Sequence, residues 1–249
     1  RIKAGNIEDD LEQLKDFDWV VEVIIENLEI KRNLYSKLSK HIGPNTILSS
    51  NTSTLPRTEL IAELPVEVAS RFLITHFFNP PRYLPLLEVV TSPEVDEDIV
   101  RSFCRFADLK LGKRVTMCND RPGFIGNRLG IYFIQRALKA TLDHGLSVEQ
   151  ADAMLGRPIG LPKTAVFALM DLVGIDLIPH VTQSPLSHLP DEDPFHQIAG
   201  VGEDIVLSMI EEGYTGRKGK GGFYRLNRGE GKKVKEARDL STGEYRRAD

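Results

Sequence analysis

The sequence predicts an α/β fold in which a mostly parallel sheet over residues 1–119 is followed by an all-α domain over 120–225. A charged tail or linker is expected at 226–249. Two observations carry this reading. Short β-branched runs alternate with helical stripes as far as Met117, the pattern of strands joined by crossover helices. Beyond Asp120 the periodic segments have helical spacing.

The elements follow in order. Asp18-Trp19-Val20-Val21-Glu22-Val23-Ile24 is a β-branched run bounded by charge, which predicts a buried strand. Leu28, Leu34, Tyr35, Leu38 and Ile42 then fall broadly on one helical stripe, ended by Gly43-Pro44-Asn45. Thr46-Ile47-Leu48-Ser49-Ser50 predicts the next strand, Arg57 to Leu64 a helix, and Arg71 to His76 and Leu86 to Val90 two more strands. Thr91-Ser92-Pro93-Glu94 offers an N-cap and an early proline for a helix whose apolar face is Ile99, Val100, Phe103 and Cys104. Arg114 to Met117 is the last strand expected.

At Asp120-Arg121-Pro122-Gly123 a cap and a proline open a long helix that runs to His144-Gly145. Ser147-Val148-Glu149-Gln150 is a capping-box pattern; helices over Pro162 to Val173 and Glu203 to Glu212 stop at Gly174 and Gly213. This change of character sets a domain boundary near residue 119. Arg225 to Asp249 is charged and short of apolar residues, so it reads as a flexible tail, and the run Gly229 to Arg238 as a solvated face.

Composition narrows the class. With 41% apolar and 27% charged residues, 249 residues suffice for one large or two medium domains with cores of their own. A net charge of -4 gives no electrostatic reason to expect nucleic acid or an anionic membrane as partner. No apolar run approaches the roughly 20 residues of a bilayer span, and Arg1 to Asp10 lacks the layout of a signal peptide. Cytoplasm or an organelle matrix is the expected location. Cys104 and Cys118 cluster with no other cysteine or histidine, so neither a disulfide framework nor a metal site is expected.

A dinucleotide-binding sheet of Rossmann type normally opens with a strand, a GxGxxG turn and a helix whose N-terminus holds the pyrophosphate. The sequence contains no such turn; Gly216 to Gly222 has other spacing and no helix after it. Residues 1–119 therefore read as the C-terminal part of a Rossmann-like domain, with a first βαβ half missing.

Polar residues gather at strand ends, where open parallel sheets bind ligands. They are Ser50-Asn51-Thr52-Ser53, then His76-Phe77-Phe78-Asn79-Pro80-Pro81, then Leu86-Leu87-Glu88-Val89-Val90. A histidine there can take a hydroxyl proton, and a carboxylate such as Glu88 would fix its tautomer and stabilise the imidazolium. The plainer readings stand beside this one: a lone strand-end histidine is more often a satisfied hydrogen-bonding residue, Glu88 can simply end a strand, and Ser53 and Asn79 are ordinary turn residues.

The ordered series Glu26-Asn27-Leu28-Glu29-Ile30-Lys31, Ser50-Asn51-Thr52-Ser53, His76-Phe77-Phe78-Asn79-Pro80, Glu88-Val89-Val90, Pro122-Gly123-Phe124-Ile125-Gly126-Asn127-Arg128-Leu129 and Gly221-Gly222-Phe223-Tyr224 resembles the 3-hydroxyacyl-CoA dehydrogenase family over about residues 17–225. The resemblance is closest to the dehydrogenase part of multifunctional fatty-acid oxidation proteins, through His76 to Tyr83 and Gly160-Leu161-Pro162-Lys163. It implies NAD as cofactor and (S)-3-hydroxyacyl-CoA as substrate, oxidised to 3-oxoacyl-CoA. It also implies His76 as base, Glu88 as its partner, and Ser53 and Asn127 on the reacting oxygen. Glu26, Lys31, Ser53, Asn79 and Lys218 match cofactor-touching positions. A fused hydratase or isomerase domain is a further implication, making Arg225 to Asp249 a linker; a homodimer through the helical domain is expected from the Gly126 and Gly130 face. Where the family carries a Gly-rich first strand, this sequence has none.

The remaining features read as structure. Trp19 and the phenylalanines are core rather than a stacking platform. Gly126 and Gly130, four apart on one helical face, would let another helix or a second copy approach. Two rival readings of the whole remain: a non-catalytic assembly module with idle dehydrogenase residues, and a dehydrogenase of another small hydroxy acid, since nothing in the sequence reads the CoA group directly.

Overall fold

Runs that alternate along the sequence alternate in space. The computed structural model describes residues 2–186, 189–227 and 233–248, and the chain divides into two units, Arg1–Asn127 and Arg128–Asp249. In the first unit, strands β1 (Trp19–Glu22), β2 (Ile47–Ser50), β3 (Phe72–Phe77), β4 (Leu86–Val90) and β5 (Arg114–Cys118) form one sheet in chain order. Helix α1 (Leu28–Leu38) carries the chain from β1 to a parallel β2, and α2 (Arg57–Leu60) with α3 (Val66–Ala69) from β2 to a parallel β3. The connection from Phe78 to Pro85 is too short for a crossover helix, so β4 runs antiparallel to β3. Helix α4 (Glu97–Leu111) then restores the parallel direction for β5. The mostly parallel sheet holds, with one reversal that sets His76 directly opposite Glu88.

Both faces of this sheet are covered. Tyr35, Leu38, Leu48, Phe72, Ile74 and Val90 pack on one side; Leu73, Leu87, Val89, Phe103 and Ala107 pack on the other. Burial of each large aliphatic or aromatic side chain stabilises the fold by about 1.5–3 kcal/mol. Helix α1 faces inward through Lys31, Tyr35 and Leu38, spaced four and three apart, and starts where the Asn27 side chain accepts the Ile30 N–H at 3.1 Å. Trp19 belongs to the core: its indole N–H donates to Ser49 Oγ at 2.8 Å and its ring packs on Phe77, Phe103 and Phe106.

Two local expectations are corrected. The helix expected over Arg57 to Leu64 ends at Leu60, and a second short helix, α3, starts only at Val66, after Pro65, which disfavours helical geometry at Leu64 before it. The α4 cap is Asp96, whose carboxylate takes the Asp98 N–H at 2.7 Å, not the Thr91-Ser92-Pro93-Glu94 segment, which turns the chain first.

The second unit is helical in its greater part. Its helices are α5 (Gly126–Asp143, whose first two residues close the first unit), α6 (Val148–Met154), α7 (Phe167–Val173), α8 (Ile178–Leu186) and α9 (Glu203–Glu211). The first compact unit runs on to Asn127, because the turn before α5 is tied to β4 by hydrogen bonds described below. The expected capping box at Ser147 and Gln150 is present. Helix α7 starts at Phe167 rather than Pro162, where the Asp152 carboxylate of α6 accepts the N–H groups of Val166, Phe167 and Ala168 at 3.0, 2.8 and 3.1 Å. A cap donated from a preceding helix leaves no local signature.

The expected flexible tail is instead structure. β6 (Tyr224–Asn227), β7 (Val234–Arg238) and β8 (Tyr245–Arg247) form an antiparallel sheet, so the unit is not all-α. Charges that suggested a solvated run are paired: Arg225 with Glu236 at 2.6 Å, Arg238 with Glu212 at 2.9 Å, Arg246 with Glu149 at 2.9 Å. The Arg225 guanidinium also lies 3.9 Å from the Tyr245 ring centre. Of the charged run Gly229 to Arg238, positions 229–232 lie outside the described residues.

Gly221-Gly222-Phe223-Tyr224 is explained by Asp171 of α7. Its carboxylate is 4% exposed and accepts the N–H of Phe223 at 2.7 Å and of Tyr224 at 2.9 Å. A Cβ on Gly222 would lie 2.0 Å from Asp171 Oδ1, so only glycine lets the strand reach the acid. Burial pushes the Asp171 carboxyl up to about 6 against the pull of the two amides. Asp171→Ala should therefore lower stability by about 2–5 kcal/mol, since two buried N–H groups lose their acceptor. Urea unfolding measures this, and a loss under about 1 kcal/mol would show that the bond to the β6 strand is dispensable.

Candidate active site

Three strand-end segments of the first unit converge. In the antiparallel β3/β4 pair, His76 and Glu88 occupy opposed positions, which brings their side chains onto one face about 5 Å apart at Cβ. His76 Nδ1 lies 2.7 Å from Glu88 Oε2. On the other side of the ring, Nε2 lies 3.0 Å from Ser53 Oγ, in the turn after β2. The rings of Phe78 and Phe124 flank the imidazole at 4.7 and 5.7 Å. His76 is 4% exposed, and its Nε2 faces a serine that is half-buried.

Glu88 is set by the chain that follows β5. Its Oε1 accepts the N–H groups of Ile125 at 3.0 Å and Gly126 at 2.7 Å. Burial raises the Glu88 carboxyl, but the hydrogen bond from His76, those two amides and the charge of His76 outweigh it and hold the group below the ordinary carboxylate value. An ionised carboxylate only accepts, so Nδ1 must carry the imidazole proton. Nε2 is then the acceptor and the Ser53 hydroxyl its donor. This tautomer suits a base that takes a proton at Nε2.

The Pro122-Gly123-Phe124-Ile125-Gly126 motif acquires its meaning here. Gly123 and Phe124 have positive φ, 76° and 44°, which turns the next two amides onto Glu88. A Cβ at Gly126 would lie 2.5 Å from the Phe78 ring and 3.4 Å from Glu88 Oε1. Gly126 is thus small to admit Phe78 and a carboxylate. Asn127 follows directly, half-buried, with no side-chain hydrogen bond among the described residues.

The turn bearing Ser53 is fastened by Glu26. Its Oε1 accepts from Thr52 Oγ1 at 2.5 Å, the Ser53 N–H at 3.0 Å, the Thr54 N–H at 3.2 Å and Thr54 Oγ1 at 3.0 Å. Burial raises Glu26, yet these bonds and the Lys31 charge leave it below the ordinary value. The Glu26 side chain is 38% exposed, whereas Lys31 is 1% exposed. The Lys31 ammonium is held by Glu22 at 2.8 Å, the Ile24 carbonyl at 3.3 Å and Glu26 at 3.4 Å. Asn79 is exposed beyond the end of β3. Lys218 belongs to the second unit, where it pairs with Asp176 at 2.8 Å.

Sequence reasoning missed Glu22. It is buried in β1 and accepts from Tyr35 Oη at 2.5 Å, Ser50 Oγ at 2.7 Å and the Ile24 N–H at 2.5 Å, besides Lys31. Burial and the Glu22 charge push the Tyr35 phenol up, so it stays a donor. A carboxylate inside a β-branched run was the available signal. Among the described residues no group of three or more acidic, histidine or cysteine side chains is placed to hold a metal, and no helix is long and apolar enough to cross a membrane.

Comparison with known proteins gives the same reading for both units. The family model described as 3-hydroxyacyl-CoA dehydrogenase, NAD binding domain, matches residues 1–121, and the one described as its C-terminal domain matches 123–226. The expectation of a missing first half finds no support in that match. A protein of Rickettsia prowazekii named as a fatty acid oxidation complex trifunctional enzyme is 41% identical over 98% of this chain and 34% of its own length. One of Deinococcus radiodurans named as a 3-hydroxybutyryl-CoA dehydrogenase is 31% identical over 87% of this chain and 74% of its own. The crystal structure of (S)-3-hydroxybutyryl-CoA dehydrogenase from Ralstonia eutropha superposes with a TM-score of 0.72 at 27% identity, covering 84% of this chain and 70% of that one. The chain spans about a third of the length of the trifunctional relative.

Proposed function

Since this chain belongs to the 3-hydroxyacyl-CoA dehydrogenase family, we propose that it carries out the NAD-dependent oxidation of (S)-3-hydroxyacyl-CoA to 3-oxoacyl-CoA, as a step of fatty-acid β-oxidation. The observation that carries this is the imidazole locked at Nδ1 by Glu88 and turned to Ser53 at Nε2. A 3-hydroxyl reaching Nε2 gives up its proton there, and the imidazolium is met by a carboxylate already ionised. The substrate hydroxyl displaces Ser53 from Nε2, and the Ser53 hydroxyl so released donates, with Asn127, to the oxygen as charge develops on it.

Glu26, whose carboxylate is open beside Ser53, and the exposed Asn79 suit the nicotinamide end of NAD. The pyrophosphate is a different matter, because no GxGxxG turn occurs in the sequence. When bound, NAD supplies the hydride acceptor for carbon 3. Lys31 and Lys218 complete the proposed cofactor set, Lys31 through Glu26. A homodimer through the second unit, a cytoplasmic location and a hydratase or isomerase domain in the same protein belong to this reading; the last is supported by the relative named as trifunctional.

The test is formation of NADH from (S)-3-hydroxybutyryl-CoA and NAD by the chain and by its His76→Ala variant. NADH should form at least about 10²-fold more slowly in the variant. Equal rates in the two proteins would overturn the assignment.

A further inference from the structure

The second unit holds a groove of its own, between α6, the turn before α7, the Arg217 loop and the β6–β7 hairpin. Two hollows of about 540 and 690 Å³ adjoin there and share Ala168, Arg217, Tyr224 and Lys235, so they form one continuous groove. Its size is that of sites that take nucleotide-sized ligands.

Its lining carries more cations than acids, with Glu149, Asp152 and Asp171 the acids among them. Arg157, Lys163, Arg217 and Lys235 line it and are exposed, and none makes an ion pair among the described residues. The acids nearby are already engaged. Glu149 takes Arg246 through both oxygens at 2.9 and 3.0 Å. Asp152 accepts three α7 amides and the Tyr224 hydroxyl, and Asp171 accepts the two amides of Phe223 and Tyr224. Four cations without an ion pair among the described residues therefore line one concave site, on a chain whose net charge is -4. A cleft of one sign focuses its field and concentrates ions of the other sign.

We propose that this groove binds an organic polyphosphate of nucleotide size. Arg217 and Lys235, where the two hollows merge, hold the central phosphates. Arg157 and Lys163 meet the end on the α6 and α7 side. Arginine offers paired N–H donors that match phosphate oxygens, and lysine a compact charge. The shared chemistry is that of a free nucleoside triphosphate or of the bisphosphorylated adenosine head of a coenzyme A molecule.

Calorimetric titration of the whole chain with ATP, with adenosine 3′,5′-bisphosphate and with NAD tests this. One equivalent of ATP or of the bisphosphate should bind, and affinity should fall with added salt. Arg217→Glu and Lys235→Glu should each weaken binding about tenfold or more, the loss of one charge-assisted pair. Lys110→Glu makes the same charge change on α4 and should leave it within about twofold. The neutral Arg217→Ala and the conservative Arg217→Lys, checked for folding by circular dichroism, separate loss of the site from loss of the fold. Tighter binding of ATP identifies a free nucleotide, and tighter binding of the bisphosphate a coenzyme head. The proposal is overturned by three results: no binding of either polyphosphate, equal weakening by Lys110→Glu, or loss of NAD binding in the groove variants, which would make the groove part of the dinucleotide site.

Discussion

His76→Ala should lower the rate of 3-hydroxyacyl-CoA oxidation by about 10²–10⁴-fold, the range for loss of a positioned general base. The loss belongs in kcat rather than KM, because the imidazole takes a proton as the reaction proceeds and adds little to holding the ground state. The fold should survive. His76 is buried, but its removal leaves Glu88 Oε1 with both amides and frees only Oε2, at a cost of about 1–3 kcal/mol. Steady-state kinetics with the acyl-CoA substrate, alongside thermal unfolding, separates the two effects. A variant that keeps its rate removes His76 from the chemistry. A variant that no longer folds is replaced by His76→Gln, which preserves volume and hydrogen bonding.

Much of this site was legible because strands announce themselves. The β-branched runs around Val20, Leu48, Ile74 and Val89 all became strands, and polar residues placed at their ends came together: Ser53, His76 and Glu88 lie in one hydrogen-bonded chain. The direction of β4 was also within reach, since a connection from Phe78 to Pro85 leaves no room for a crossover. What escaped was supplied from far along the chain. The caps that Asp152 gives to α7, and Asp171 to Phe223 and Tyr224, join residues with no local pattern. The same holds for the amides of Ile125 and Gly126 on Glu88. The tail misled because its charges were counted singly, whereas Arg225, Glu236, Arg238 and Glu212 neutralise one another across strands and against α9.

Glu88→Gln should cost about as much rate as loss of His76, about 10²–10⁴-fold, for a reason of tautomer rather than of contact. The glutamine carbonyl can still accept from Ile125 and Gly126, but its NH₂ then faces His76 Nδ1. A donor there forces Nδ1 to accept, moves the proton to Nε2 and leaves no lone pair for the substrate hydroxyl. Nitrogen-15 chemical shifts of the His76 ring should report that exchange directly. If the rate falls while the tautomer stays, Glu88 acts through its charge on the imidazolium and not by orienting the ring. The pH dependence of stability provides the independent check. Glu88 titrates in the fold below its ordinary value of 4.5, so its contribution is fully present above about pH 4.5 and is lost as pH falls through the lower folded value. Glutamine cannot titrate. The stability gap between the two proteins should therefore be flat above that pH and narrow below it, and a gap that widened on acidification would mean that the carboxylate is not ionised in the fold.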